Sequence, residues 1–216
     1  MTEQPYKVPT LPLEPVAPGT TLLVTGPRRL GTEVAERLVL EKSDEEGAIF
    51  VSTNMSGRNF LRRCLGNYPN LPPESVGFVD ASGRRDVDVD TAMRLRDVSS
   101  PGDLTGISIA TSVLSAALAD DSLTRVRTGY VSLSVLLLYT NPKVTTRFVH
   151  TVRGRAGATD GLVVFALDPS MHQQSVTHTF EHVCDGRVRT AVVDGEPVLR
   201  VDGLGDQPAD WVPVDG

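Results

Sequence analysis

The chain has 216 residues, 40% of them hydrophobic, and a net charge of −6, enough for one large domain with a substantial core. Its longest apolar run, residues 162–167, is far too short to cross a membrane, and its first residues lack the basic and apolar segments of a signal peptide, so the expected location is the cytoplasm. The acidic balance removes the global attraction that draws a protein to nucleic acid; Cys64 and Cys184 stand apart without a C-x-x-C, which argues against a disulfide framework or a cysteine zinc site.

Residues 1–18 carry Pro5, Pro9, Pro12, Pro15 and Pro18. Proline fixes φ and removes a donor, so this is an extended arm. Its apolar residues Tyr6, Val8, Leu11, Leu13 and Val16 predict that it packs on the body or on a second subunit. The body spans 19–204. Short valine-rich runs predict strands at 21–25, 48–52, 76–80, 125–131 and 162–167. Helical patterns fall between them at 32–42, 55–66, 103–119, 143–154 and 170–183. This alternation predicts an α/β fold, a parallel sheet with helices on both faces. Pro101 and Gly102 close one segment, and Asp103 is placed to cap the next helix. The stretch "RVRTAVVDGEPVLRVDGL" alternates on either side of Asp194-Gly195 and reads as a β-hairpin. Residues 205–216 form a polar tail with Trp211.

The stretch "LLVTGPRRLGTE" has the glycine spacing of a phosphate-binding loop, G-x-x-x-x-G-K-[ST], at Gly26 and Gly31. Thr32 stands where the lysine belongs, and Glu33 where the Mg²⁺-binding hydroxyl belongs. Together with "GAIFVSTNMSGRNFLRRC", "SSPGDLTGISIA", "YVSLSVLLLY" and "RFVHTVRGRAGATDGLVVFALDPSMHQ", this stretch resembles the RecA/KaiC superfamily, and within it a haloarchaeal KaiC-like family of unknown function. The resemblance covers most of 19–204. It implies a strand order 3-2-4-1-5, with the hairpin at the edge next to strand 5. It also implies where ATPase residues should lie. The water-activating glutamate would fall on Thr53 or Asn54, and the metal-binding aspartate on Val131. Lysine, metal ligands and base are therefore all replaced, at Thr32, Glu33, Asn54 and Val131. The sequence reads as a degenerate, non-hydrolysing pseudo-ATPase with no catalytic residues, no metal and no expected cofactor. It would act through an unidentified protein partner in regulation or signalling, as a monomer or homodimer that does not depend on nucleotide.

Weaker alternatives remain. Gly26, Arg28, Arg29, Gly31 and Thr32 form a candidate anion or nucleotide site, because a helix N-terminus attracts anions; a weak ATP-binding RecA-family ATPase would use it, and a DNA-associated module, as RecA relatives often are, is a further alternative. The same loop resembles the start of short-chain dehydrogenases, and Tyr139 and Lys143 have that family's Y-x-x-x-K spacing. Against this NAD(P) reading, Leu30 and Thr32 replace two fingerprint glycines, and Pro142 interrupts the helix the pair would share. In that case Tyr139 faces the core. His178 and His182, spaced i, i+4 near Glu181 and His172, could hold a metal or simply occupy a solvated helix face. Asp168 lies at a strand's carboxyl end, and Asp103 or Thr105 could line a site. Arg147, Arg153 and Arg155 form a candidate basic patch. A composition with arginine far above lysine (only Lys7, Lys42 and Lys143 are lysines) and rich in aspartate is compatible with a salt-loving source.

Overall fold

The computed structural model describes residues 4–83, 94–121, 123 and 125–215. Its strands are β1 (Thr21–Thr25), β2 (Glu46–Ser52), β3 (Val76–Asp80), β4 (Arg94–Asp97), β5 (Arg125–Tyr130), β6 (Leu162–Leu167), β7 (Gly186–Val193), β8 (Glu196–Asp202) and β9 (Val212–Pro213). The helices are α1 (Arg28–Leu40), α2 (Gly57–Asn67), α3 (Leu104–Asp120), α4 (Leu133–Tyr139), α5 (Pro142–Thr159) and α6 (Gln174–Val183). The strands form one sheet in the order β4-β3-β2-β5-β6-β1-β7-β8-β9. From β4 to β7 all pairings are parallel; β8 and β9 add antiparallel.

Strands of a parallel sheet bury both faces, and alternate residues here serve two separate cores. Leu22, Val24, Val164 and Ala166 join Val34, Ala35, Leu38 and Val39 of α1, with Phe60 of α2. Leu23, Val163 and Phe165 face the opposite layer, built from α3, α4, α5 and α6. Asp103 caps α3 by accepting from the Gly106 N–H at 2.8 Å, and Asn141 caps α5, where Pro142 takes the first position.

The strand order corrects the expected 3-2-4-1-5. Residues 162–167 lie between 125–130 and 21–25, so the hairpin adds beside β1 and not beside β6. The crossover through α4 and α5 sets β6 directly next to β5, as sequential strands favour. Asp185 then fixes β7 to β1: its N–H donates to the Thr21 carbonyl at 2.9 Å, and its carboxylate accepts from the Thr21 N–H at 2.9 Å. Three elements were not anticipated. These are edge strand β4, helix α4 inside the apolar run after Tyr130, and β9 within residues 205–216. That last segment also buries Val214 and lays Trp211 4.9 Å from the Arg200 guanidinium.

The proline-rich arm is extended and lies on the α1 side of the sheet. Tyr6 and Val16 form a two-bond antiparallel bridge (2.7 and 2.8 Å). Tyr6, Val8, Leu11 and Val16 are buried in the α1-side core. The Tyr6 hydroxyl donates to the Asp160 carbonyl at 2.8 Å, and burial pushes its pKa up to about 12, so it remains a donor at any physiological pH.

Candidate functional site

A cleft of about 1000 Å³ opens at the carboxyl ends of β1, β2, β5 and β6, between α1 and α2. This is where parallel α/β sheets place ligands. The β1–α1 junction contributes Gly26, Arg29, Gly31, Thr32 and Glu33; the loop after β2 contributes Asn54; the loop after β5 contributes Val131. Every substituted ATPase position read from the sequence therefore lines one cleft. Of the five candidate anion-site residues, four line it; the side chain of Arg28 lies outside the described residues. Ser132 and Ser134 before and within α4, and Asp168 after β6, complete the strand-end rim.

The β1–α1 junction is not an open phosphate loop. Helix α1 begins at Arg28 and not at the expected 32, and the Gly31 N–H donates to the Pro27 carbonyl at 2.9 Å. Residues 28–31 form the first helical turn. Proline presets a helix start, and no Ser, Thr, Asp or Asn lies between Gly26 and Thr32 to mark a later one. The Gly31 amide is consumed inside the helix. Gly26 adopts φ +149°, and a Cβ there would lie 2.1 Å from Thr190 Oγ1 and 2.3 Å from the Thr190 carbonyl oxygen. That glycine is required by the passage of β7 behind it, independently of any phosphate.

The cleft carries charges of both signs: Arg29, Arg37 and Arg63 line it together with Glu33, Glu36, Glu41 and Asp168. Glu33 is exposed, and Glu36, one turn further along α1, is buried. Glu36 pairs with Arg63 of α2. Burial pushes its pKa up to about 7; Glu33 adds to the rise, and Arg63 opposes it. Arg37 closes the far end of the cleft. It bonds Glu41 at 3.3 Å, Asp215 at 2.7 Å and Thr10 of the arm at 3.0 Å. Both chain termini are thus tied to α1 through one guanidinium. Sequence reading missed Glu36, Arg37 and Arg63. The available signal was Glu33 and Glu36 at i, i+3, on one helix face.

The proton affinity of Glu36 makes stability depend on pH. The folded chain holds this proton up to about pH 7, whereas an ordinary carboxyl loses it at 4.5. The contribution is therefore full below 4.5 and is lost as pH rises to 7. Glu36→Gln is expected to match the parent at pH 4.5 and to exceed it at pH 8, by on the order of 1–3 kcal/mol. Urea midpoints at the two pH values decide this; equal differences at both would count against it.

A family model described as "Family of unknown function (DUF7504)" matches residues 19–190. The chain belongs to this DUF7504 family. No curated protein matches the chain. Among solved structures, it is similar to a KaiC-like protein from the hyperthermophilic archaea Pyrococcus horikoshii OT3, with a TM-score of 0.62 and 10% identity over 97% of this chain and 93% of that one. The fold is RecA/KaiC-like.

The remaining candidate residues of this DUF7504 member lie elsewhere. Tyr139 ends α4 and Lys143 lies in the first turn of α5, so they share no helix face. Tyr139 is 60% exposed and not core-facing, because α4 ends there and turns its last residues outward. His178 and His182 are exposed on α6, with His178 Nε2 4.0 Å from Glu181. Among the described residues, no group of three or more His, Cys, Asp or Glu could hold a metal. The arginines of α5 diverge: Arg153 pairs with Asp185 at 2.5 Å, whereas Arg155 reaches Ser112 and the Ser108 carbonyl of α3. Asp168 both lines the cleft and caps its own turn, accepting from Ser170 N–H at 3.0 Å. Thr105 and Asp103 line no part of the cleft. Cys64 and Cys184 are buried in opposite layers. No helix among the described residues is long and apolar enough to cross a membrane.

Proposed function

We propose that this DUF7504 chain is a non-hydrolysing KaiC/RecA-like pseudo-ATPase that works in the cytoplasm by binding a protein partner, in a regulatory or signalling role. The observation that carries this reading is the cleft itself. It keeps the position of a strand-end ligand site, yet its loop is wound into α1 and the Gly31 amide is used up. Phosphoryl transfer depends on cations and donors arranged around the developing charge. Here Thr32, Asn54 and Val131 supply neither the loop lysine nor the carboxylates that hold the metal and activate water, and Glu33 adds repulsion that Arg29 on the same wall only partly offsets. At about 4 Å and an effective dielectric of about 20, one such repulsion is on the order of 4 kcal/mol. A cleft kept without its chemistry retains recognition.

The arginine-rich, aspartate-rich composition supports testing at high KCl. Purified protein with Mg·ATP is expected to release no phosphate above the blank and to give no saturable heat on nucleotide titration. Turnover that disappears in Gly31→Trp would overturn the reading. Capture of a protein from native extract at high salt, lost when the cleft residue Glu33 is changed to lysine, is the expected positive result.

A further inference from the structure

Helix α3 lacks a charged solvent face. Between Asp103 and Asp120 its sequence, "LTGISIATSVLSAALA", contains no charged residue. Ile107, Ala110, Leu114 and Leu118 point into the core. Yet the opposite side, Thr105, Ile109, Val113, Ala116 and Asp120, is exposed, with Ile109 at 60% and Val113 at 42%. The spacing of these residues makes one stripe along the helix. Before Asp120 no charge interrupts this outer side, whose polar groups there are only serine and threonine hydroxyls, and exposed apolar patches mark interaction sites. The patch continues beyond α3. The Tyr139 backbone abuts Gly102 at the α3 entry, and of the nine large hydrophobics exposed among the described residues, Leu138, Tyr139 and Val144 join Ile109 and Val113 on this side of the molecule.

We propose that this face is a homodimer interface, with a second copy of the chain docked α3 against α3 about a two-fold axis beside Ser112. Three features fit a copy. First, α3 packs antiparallel to its counterpart, so Ile109 falls on Ala116 of the second copy, large side chain on small, while Val113 lies at the axis. An isologous contact of this kind makes each pairing twice. Second, the charges are complementary. Helices α3 and α5 run in the same direction, with Ser108 and Ser112 beside Arg155. Thr151 and Arg155 share a small cavity with Ser108, Thr111 and Ser115 of α3, Val144 and Arg147 continue that side of α5 by helical spacing, and Tyr139 just before α5 abuts Gly102, so exposed Arg147 and Lys143 fall toward the α3 N-terminus. Antiparallel pairing brings Asp120 of the second copy to that end, against both cations, while Asp103 there is turned to the Gly106 amide it caps. Third, Asp120, Lys143 and Arg147 are exposed and make no ion pair among the described residues. The interface is on the opposite face of the sheet from α1 and α2, and its formation is independent of what the cleft binds.

Light scattering after gel filtration of the full chain without nucleotide tests this. The expected mass is twice 23.2 kDa, falling to one chain in Ile109→Arg, with the circular dichroism spectrum unchanged and a melting temperature that no longer rises with protein concentration. Asp120→Lys is expected to weaken the dimer roughly tenfold or more, and Arg147→Glu added to it to restore affinity. Because Cys64 and Cys184 are buried, oxidised Val113→Cys should cross-link to a dimer on a denaturing gel, while Arg62→Cys on α2 should not. A monomer at every concentration up to hundreds of micromolar, or a dimer indifferent to Ile109→Arg, overturns the proposal.

Discussion

A chain truncated to begin at Gly19 is expected to lose cooperative folding. The arm contributes Tyr6, Val8, Leu11 and Val16 to the α1-side core, each at 5% exposure or less. Burying one such side chain stabilises by about 1.5–3 kcal/mol, so four amount to about 6–12 kcal/mol. Whole domains are stable by only about 5–15 kcal/mol. Truncation also removes acceptors: the Lys7 carbonyl takes a bond from Arg127 at 2.8 Å, and the Gln4 carbonyl one from Arg125. The Tyr6 ring lies 4.6 Å from the Arg125 guanidinium and 5.2 Å from that of Arg127. Two arginines would thus lose partners in a site that opens to water. Circular dichroism during heating checks the expectation, with Tyr6→Ala as a milder variant costing about 3–5 kcal/mol. A truncated chain that melts like the parent would show that the arm only rests on the surface.

What could be read from the sequence follows from which residues carry a unique signal. The five central strands were legible because runs such as Leu162–Leu167 are apolar throughout and short. Their order was not, because β1 and β6 are equally buried on both faces and no pattern distinguishes two such neighbours. The tie that ranks them, Asp185 on the Thr21 backbone, is a contact between residues far apart in sequence. The cleft was legible through Gly26 and Gly31, whose spacing is that of a phosphate loop. That the loop is wound was not, because Pro27 starts the helix without a capping side chain. Glu36 and Arg63 were missed because charged residues at helical spacing ordinarily face water, and only the packing of α1 on α2 encloses this pair. The anchoring of Arg37 was hidden for a similar reason: its partners Thr10 and Asp215 come from the two ends of the chain. For α3 the sequence marked the helix through Asp103, Pro101 and Gly102, but the uncharged outer side was missed, because Thr105, Ser108, Ser112 and Ser115 read as an ordinary solvated side.

Glu46→Ala is expected to destabilise the fold by about 3–5 kcal/mol, the cost of removing one partner from a buried ion pair. Glu46 opens β2 and is 2% exposed; Arg127, on neighbouring β5, is 1% exposed. The carboxylate receives Arg127 Nε at 2.8 Å and Arg125 Nη2 at 2.8 Å, and Arg127 spends its other donors on the Leu38 and Lys7 carbonyls. Burial lowers the Arg127 pKa and Glu46 opposes that shift, but a guanidinium has no neutral form to adopt near pH 7. Without Glu46 it is left charged in a dry site. The reciprocal change, Arg127→Met, is milder for the carboxylate, which keeps Arg125. It frees two carbonyls, so it should still cost about 1–3 kcal/mol. In Glu46→Ala with Arg127→Met the stranded charge is gone. The double variant should therefore be more stable than the sum of the singles implies, by about 1–3 kcal/mol of coupling. Urea unfolding of the four proteins measures that coupling directly. Single variants that add within error, at a total under about 1 kcal/mol, would mean that water already reaches the pair. Because Glu46 and Arg127 lie toward the amino ends of their strands and the cleft lies at the carboxyl ends, partner capture per folded molecule should stay at the parent level in all four, so the loss belongs to the fold and not to recognition.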